Sequence, residues 1–233
     1  VSEAASFKVI EYAMKLMAEH KVSPKDGIIA ALLDGNGKDP GLSDDEFVWF
    51  FLMLIVAGNE STRTVTTQGM RLLMENPDQL QYLIDNPDKI ADACEEMLRY
   101  NTAFTQMRRQ CMEDTEVGGQ LIKKGDKIIM HYHTVNHDET IFGEDAMKFD
   151  VKRAERIPDL YNQHRSFGIG QHFCLGSHLA RLEVRVMFEE IIPRLRNPKL
   201  VGDVAYTRSN LVNGIKRMHI TFDPEVKPET AAA

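Results

Sequence analysis

Across 233 residues the chain has three cysteines, one tryptophan and no surplus of basic residues. Each shortage excludes something. Cys94, Cys111 and Cys174 are odd in number and far apart, so they make no disulfide framework, and a reducing, cytoplasmic setting is the expectation. With 28 Lys and Arg against 35 Asp and Glu, the net charge of -7 argues against nucleic acid as the main partner, because a phosphate-binding surface needs a basic excess. The longest apolar run, FVWFFLMLIVA at residues 47–57, falls short of the roughly 20 residues a membrane span needs. It is expected to be a buried core helix. Neither methionine nor a basic n-region stands at Val1, and a helical pattern starts at once, so further sequence upstream is expected. Internal repeats, low-complexity tracts and clear linkers are also lacking, and the closing PETAAA reads as a disordered end.

What remains is an ordinary globular composition, 43% hydrophobic and 27% charged. In the first third, Phe7, Ile10, Tyr12, Met14, Leu16 and Met17 fall largely on one side of a helix ending near His20. Ser23 and Pro24 supply an N-cap and a first-turn proline for a short helix through Leu33. DGNGKDPG is a loop by composition. Ser43 and Glu46 form a capping box, opening a helix to about Met74 that spans roughly 45 Å at ~1.5 Å per residue. Pro77 and Pro87 each open another helix, the second reaching Tyr100. From Thr105 the character changes: QMRRQCM, TEVGGQLI and KGDKIIMHYH read as short strands with a Gly118-Gly119 hairpin. Residues 136–165 show no period and read as an irregular meander. A helix from Leu175 to Arg196 and a tail of short strands complete a mainly α fold with small β-sheets.

Three stretches carry chemistry. In AGNEST, residues 57–62, Ala57 and Gly58 remove side-chain bulk from a helix and so allow another object near its backbone, while the Ser61 hydroxyl can bend it by bonding a carbonyl one turn back. The same hexapeptide equally marks a helix emerging into solvent. In CEEMLRY, Glu96 and Arg99 are three apart; taken alone the pattern reads as an exposed pair worth ~0.2–0.5 kcal/mol. In SFGIGQHFCLGSHLARLE, residues 166–183, Gly168, Gly170 and Gly176 surround Cys174 just before a helix. That places a sulfur where a helix dipole and free N–H groups favour a thiolate. A zinc site using Cys174 with His164, His172 and His178 has only one local sulfur and lacks the usual paired spacing. A buried inert cysteine is the other alternative.

Together and in this order the three stretches resemble the cytochrome P450 family of haem-thiolate monooxygenases, soluble bacterial type. FGIGQHFCLG is similar to its haem-binding loop F-G-x-G-x-H-x-C-x-G, AGNEST to its oxygen-activation motif [AG]-G-x-[DE]-T, and EMLR to its E-x-x-R motif. The resemblance covers essentially the whole chain. It implies the C-terminal, haem-binding half of a single P450 domain, residues 1–233, running from the family's G helix onward with the N-terminal half absent.

The resemblance implies haem b held by Cys174 as axial thiolate, which favours O–O cleavage, with the N–H groups after it and Gly176 tuning the sulfur. It implies Phe167 and Gly168 packed beside the sulfur, and His172 and Arg109 on the haem propionates. Ala57 and Gly58 make room for O2, and Glu60 and Ser61 supply protons. Ser61 departs from the family's threonine and lacks the methyl that restricts its rotamers, so more peroxide leakage is expected. Glu96, Arg99 and Arg153 become a buried structural cluster. Met53, Val56, Phe104, Thr105, Leu211 and Val212, with Ala57 and Asn213, are expected to line a pocket for a sterol, terpenoid or lipid-like molecule. NAD(P)H would supply electrons indirectly, through a ferredoxin and its reductase, and Arg165, Arg181 and Arg185 are candidates to face such an acidic partner. The alternatives are a peroxide-dependent haem enzyme, against which Glu60 and Ser61 count, and a truncated non-catalytic fragment.

Overall fold

The computed structural model describes residues 3–35, 37–38 and 40–223; the closing PETAAA lies outside them. The chain divides into two units, Val1–Glu60 and Ser61–Ala233, and a long helix runs through the boundary.

The first unit contains α1 (Glu3–Val22), α2 (Ile28–Leu33) and the start of α3 (Asp44–Glu75). The capping box at the head of α3 is made reciprocally: Ser43 N donates to Glu46 Oε2 (2.9 Å) and Glu46 N to Ser43 Oγ (3.4 Å). The Ser43 hydroxyl also donates to Glu46 Oε2 (2.7 Å), and this bond, with that from Ser43 N, holds the Glu46 carboxyl below its ordinary pKa. Ala13, Met17 and Phe47 form the core, with Ile29, Leu32, Val48 and Phe51 against it. Two expectations are corrected here. The helix foreseen from Ser23 and Pro24 starts only at Ile28, because Gly27 at φ 142° breaks the path between them. The run at residues 47–57 is not a buried core helix: Phe47 is buried, but Trp49, Met53, Ile55 and Val56 are exposed. It is apolar all round, and Phe47, Val48 and Phe51 are the residues of the run that pack into the core of their unit.

In the second unit α3 is followed by α4 (Pro77–Asp85), a 3-10 turn (Pro87–Lys89) and α5 (Ile90–Tyr100). Strands β1 (Gln106–Gln110), β2 (Thr115–Val117), β3 (Gln120–Ile122) and β4 (Lys127–His131) come next. β1 pairs antiparallel with β4, and β2 with β3 across Gly118 and Gly119, both at positive φ. The single-turn helix α6 (Tyr132–Val135) stands just before the meander, and α7 (Glu139–Phe142), α8 (Arg153–Arg156) and α9 (Leu160–Gln163), each one turn long, punctuate it. One turn is too short to produce a period, which is why that stretch looked wholly irregular. α10 (Ser177–Arg194) follows, then a hairpin of β5 (Arg196–Tyr206) and β6 (Ile215–Asp223).

The core of this unit lies among α3, α4, α5 and α10: Val65, Leu72, Leu73, Leu83, Ile90, Ala93, Met97, Val184 and Phe188 are buried together. At Gly69 α3 has close neighbours on α5 and α10. A Cβ there would lie 2.6 Å from Met97 Sδ and 2.8 Å from Phe188 Cζ. Among the described residues no helix is long and apolar enough to cross a membrane.

Candidate functional site

The loop before α10 is a tight, glycine-shaped turn. Gly168 N donates to Arg165 O (2.9 Å), Phe173 N to Gly170 O (3.0 Å) and Cys174 N back to Phe167 O (2.9 Å). Gly168 and Gly170 take φ near 74° and 71°, which L side chains rarely adopt. At Gly168 space is also short, since a Cβ would come 3.1 Å from Tyr132 Oη. Residues Gly170–His172 form a 3-10 turn. α10 itself starts at Ser177 rather than at Leu175, and Gly176 serves as its N-cap.

The entry to the loop is fastened from outside it. Asn136 Oδ1 accepts Arg165 N (2.6 Å), Asn136 Nδ2 donates to Ser166 Oγ (2.9 Å), and Ser166 Oγ donates to Leu98 O (2.7 Å). One asparagine and one serine thus tie the loop to α5 and to the turn after α6. Of the three cysteines, Cys94 and Cys111 are buried and Cys174 is half-buried, and none is in a disulfide. Burial pushes the Cys94 thiol well up, and the Cys111 thiol donates to Glu113 O (2.8 Å). Cys174 is the cysteine with access.

Behind the loop, charged groups are gathered. Arg181 Nε donates to Glu95 Oε1 (2.9 Å) and Oε2 (3.1 Å), and His164 Nε2 lies 3.0 Å from Glu95 Oε2. The Arg181 guanidinium lies 3.5 Å from the Tyr161 ring centre and 4.4 Å from that of Phe167. This corrects the expectation that Arg181 faces an acidic partner: it is committed inward, because Glu95 on α5 meets it. Arg185 is paired with Glu189 on its own helix and Arg165 donates to the carbonyls of Asn162 and Gln163. The zinc alternative finds no geometry. His164 is taken up by Glu95, and no cluster of three or more His, Cys, Asp or Glu able to hold a metal occurs among the described residues. The sequence reading passed over Glu95, Asn136 and Ser166; their one signal was polar side chains at positions that a helix or loop would otherwise expose.

Glu96, Arg99 and Arg153 are brought together with no exposure at all. Arg99 donates to both Glu96 oxygens (2.6 and 2.8 Å), and Arg153 Nε lies 3.1 Å from each. Their remaining donors reach carbonyls of Asn136, Phe142, Asp145, Ala146 and Lys148. The exposed-pair reading of Glu96 and Arg99 is therefore overturned: the partner that buries them, Arg153, is 57 positions from Glu96.

The candidate pocket residues fall in two groups. Phe104 bridges Val212, Thr105 N donates to Leu211 O (2.9 Å), and Thr105 Oγ1 donates to Asn210 O (2.8 Å), so two distant segments run side by side. Met53, Val56, Ala57 and Gly58 are exposed on α3, and Glu60 and Ser61 half-buried. α3 continues unbroken through Ser61. A Cβ on Gly58 would meet nothing within 4 Å, so packing in the described chain does not require glycine there. Arg109 is half-buried on β1 and His172 exposed in the 3-10 turn; among the described residues no hydrogen bond or ion pair joins them.

Haem, the group implied by the motifs, asks for one accessible sulfur, apolar flanks and donors for carboxylates. Cys174 is accessible, Phe167, Ile169, Phe173 and Leu175 flank it with apolar surface, and Gly176 leaves open space beside it. The residues present fit that group.

Comparison with known proteins agrees. Steroid C26-monooxygenase of Mycolicibacterium smegmatis is 36% identical over 231 residues, covering 98% of this chain and 52% of its own length. Linalool 8-monooxygenase of Pseudomonas putida is 36% identical over 216 residues, covering 92% and 51%. The chain thus spans about half the length of these relatives. Among solved structures, CYP109E1 of Bacillus megaterium in complex with testosterone superposes with a TM-score of 0.86 at 29% identity, covering 94% of this chain and 60% of that one. The cytochrome P450 family model matches residues 2–201, and the chain belongs to that family.

Proposed function

We propose that the chain is the C-terminal, haem-binding part of a monooxygenase that places one oxygen atom from O2 into a C–H bond of a lipophilic molecule. The observation that carries this is Cys174: the accessible cysteine, held by a backbone bond to Phe167 O in a loop shaped by Gly168 and Gly170. When bound, the haem supplies the activation of O2 and the transfer of its oxygen.

The chain's own residues do the rest. Cys174 holds the iron through sulfur, and Phe167 keeps water from that sulfur with its ring. Arg109 and His172 bind the propionates, Arg109 through a planar fork suited to a carboxylate. On α3, Ala57 and Gly58 leave the helix face bare, and the Glu60 carboxylate with the Ser61 hydroxyl passes protons inward. Phe104, Thr105, Leu211 and Val212, together with Met53 and Val56, favour an apolar substrate. The names of the relatives, a steroid and a terpenoid monooxygenase, support a sterol, terpenoid or lipid-like substrate. Electrons come from NAD(P)H through a ferredoxin and its reductase.

The test is the absorption spectrum of the haem-loaded protein, reduced and CO-bound. A strongly red-shifted Soret band, lost in Cys174→Ala, is expected. A band of the histidine-ligated type, or one that survives the substitution, refutes the proposal.

A further inference from the structure

We propose that Glu95 is a positioning residue that sets the charge behind the Cys174 sulfur, acting through the Arg181 guanidinium stacked on the Phe167 ring. The inference rests on the reading of Cys174 as the haem ligand. It starts from an arrangement spread over three elements: Glu95 on α5, Arg181 on α10 and His164 just after α9, with 86 positions separating the first two.

Arg181 is only 10% exposed. A cation so placed needs a counter-ion, and Glu95 is the carboxylate in contact with it, at 2.9 and 3.1 Å. Its Nη2 donates to Tyr161 O (3.0 Å), whereas Nη1 is buried with no hydrogen-bond partner among the described residues. The guanidinium is therefore held by one acid and one carbonyl, with Tyr161 and Phe167 as its stacking partners. His164 also touches Glu95, but burial outweighs that contact and keeps the His164 pKa below its ordinary value, so it is neutral near pH 7 and does not compete for the charge. Phe167 carries the effect onward, since its ring meets the guanidinium and its carbonyl accepts the Cys174 N–H. Glu95 thus decides both where the cation sits and how much of its charge the sulfur senses.

The signs follow. Glu95→Gln keeps the shape and removes the counter-charge, so the Arg181 cation stacked on Phe167 is left unbalanced and favours the state with one more electron. Arg181→Gln removes the cation and favours the opposite. In the haem-loaded protein titrated with dithionite, Glu95→Gln should change the ferric-to-ferrous ratio at fixed poise about tenfold toward ferrous, ~59 mV for one electron. Arg181→Gln should shift it toward ferric, and Glu95→Asp should return most of the change. Equal midpoints in wild type and Glu95→Gln overturn the proposal. So do shifts of the same sign in the two Gln variants, which is what simple loosening of the loop would produce. If Glu95→Gln does not fold, Arg181→Gln alone decides by its sign. If the wild type takes up no haem, the reading of Cys174 fails instead, and hydrogen exchange of the cofactor-free protein still tests the positioning. The Cys174 amide should then exchange about tenfold faster in Glu95→Gln, and an unchanged rate overturns it.

Discussion

Replacing Glu96 by alanine should be among the most damaging single changes to this chain, and the structure supplies the magnitude. Glu96, Arg99 and Arg153 are fully buried, and the carboxylate receives both Arg99 and Arg153 as well as the Asp150 N–H (3.0 Å). Alanine leaves two guanidiniums without that acid, with Asp145 as the remaining carboxylate in contact with Arg153. Breaking a buried ion pair from one side costs about 3–5 kcal/mol, against a total stability of roughly 5–15 kcal/mol. With a urea m-value of ~1–3 kcal/mol/M, the midpoint should fall by about 1–5 M. The Arg99 and Arg153 donors also pin carbonyls between Asn136 and Lys148, so hydrogen exchange should rise there before it rises in α5 and α10. The control is Glu189→Gln, which removes an exposed i,i+4 partner of Arg185 worth about 0.3–0.5 kcal/mol. If Glu96→Ala shifts the midpoint no further than Glu189→Gln, the argument from burial is refuted.

Gly69→Ala should lower stability by about 1–3 kcal/mol, because its Cβ meets Met97 and Phe188 below 3 Å; Gly58→Ala, with open space, should instead gain up to ~1 kcal/mol from helix propensity, and equal thermal midpoints for the two would contradict this. Burial pushes the His137 pKa from 6.5 down to about 4, so the folded state resists a proton that the unfolded chain accepts. Stability is therefore complete above about pH 6.5 and lost as pH falls toward about 4, by on the order of 3 kcal/mol; urea midpoints near pH 7.5 and 4.5 should differ less in His137→Gln, and an unchanged difference would sink the assignment. On the proposed function, Ser61→Thr should lower the ratio of hydrogen peroxide to product by restricting the hydroxyl rotamer; an equal ratio in the two proteins would dismiss the leakage argument.

Where structure follows from neighbours in sequence, the reading succeeded. The capping box at Ser43 and Glu46, the Gly118-Gly119 hairpin and the helices after Pro77 and Pro87 all depend on a few adjacent residues. It failed where a distant partner or its absence decides. The run at residues 47–57 has the composition of a core helix, yet exposure is set by what packs on it, and Trp49 and Val56 are left outside. At Ser23 and Pro24 two good start signals lost to Gly27, whose backbone conformation those signals do not report. Arg181 was expected to face an acidic partner, and the carboxylate that draws it inward lies on another helix of the chain itself.

The candidate site repeats this contrast on a smaller scale. The loop around Cys174 was legible because its constraints are written into ten consecutive residues: glycines at positive φ and a cysteine whose backbone N–H closes onto Phe167 O. What holds that loop in place is not written there. Asn136 fixes Arg165 and Ser166, Ser166 reaches Leu98, and Glu95 gathers Arg181 and His164 beneath Phe167. Each anchor is a single polar residue whose meaning appears only when three segments meet. A motif search finds the atom that binds and passes over the atoms that aim it. Side chains at positions such as 95 and 136 therefore hold the surroundings of Cys174 in place without belonging to the loop sequence itself.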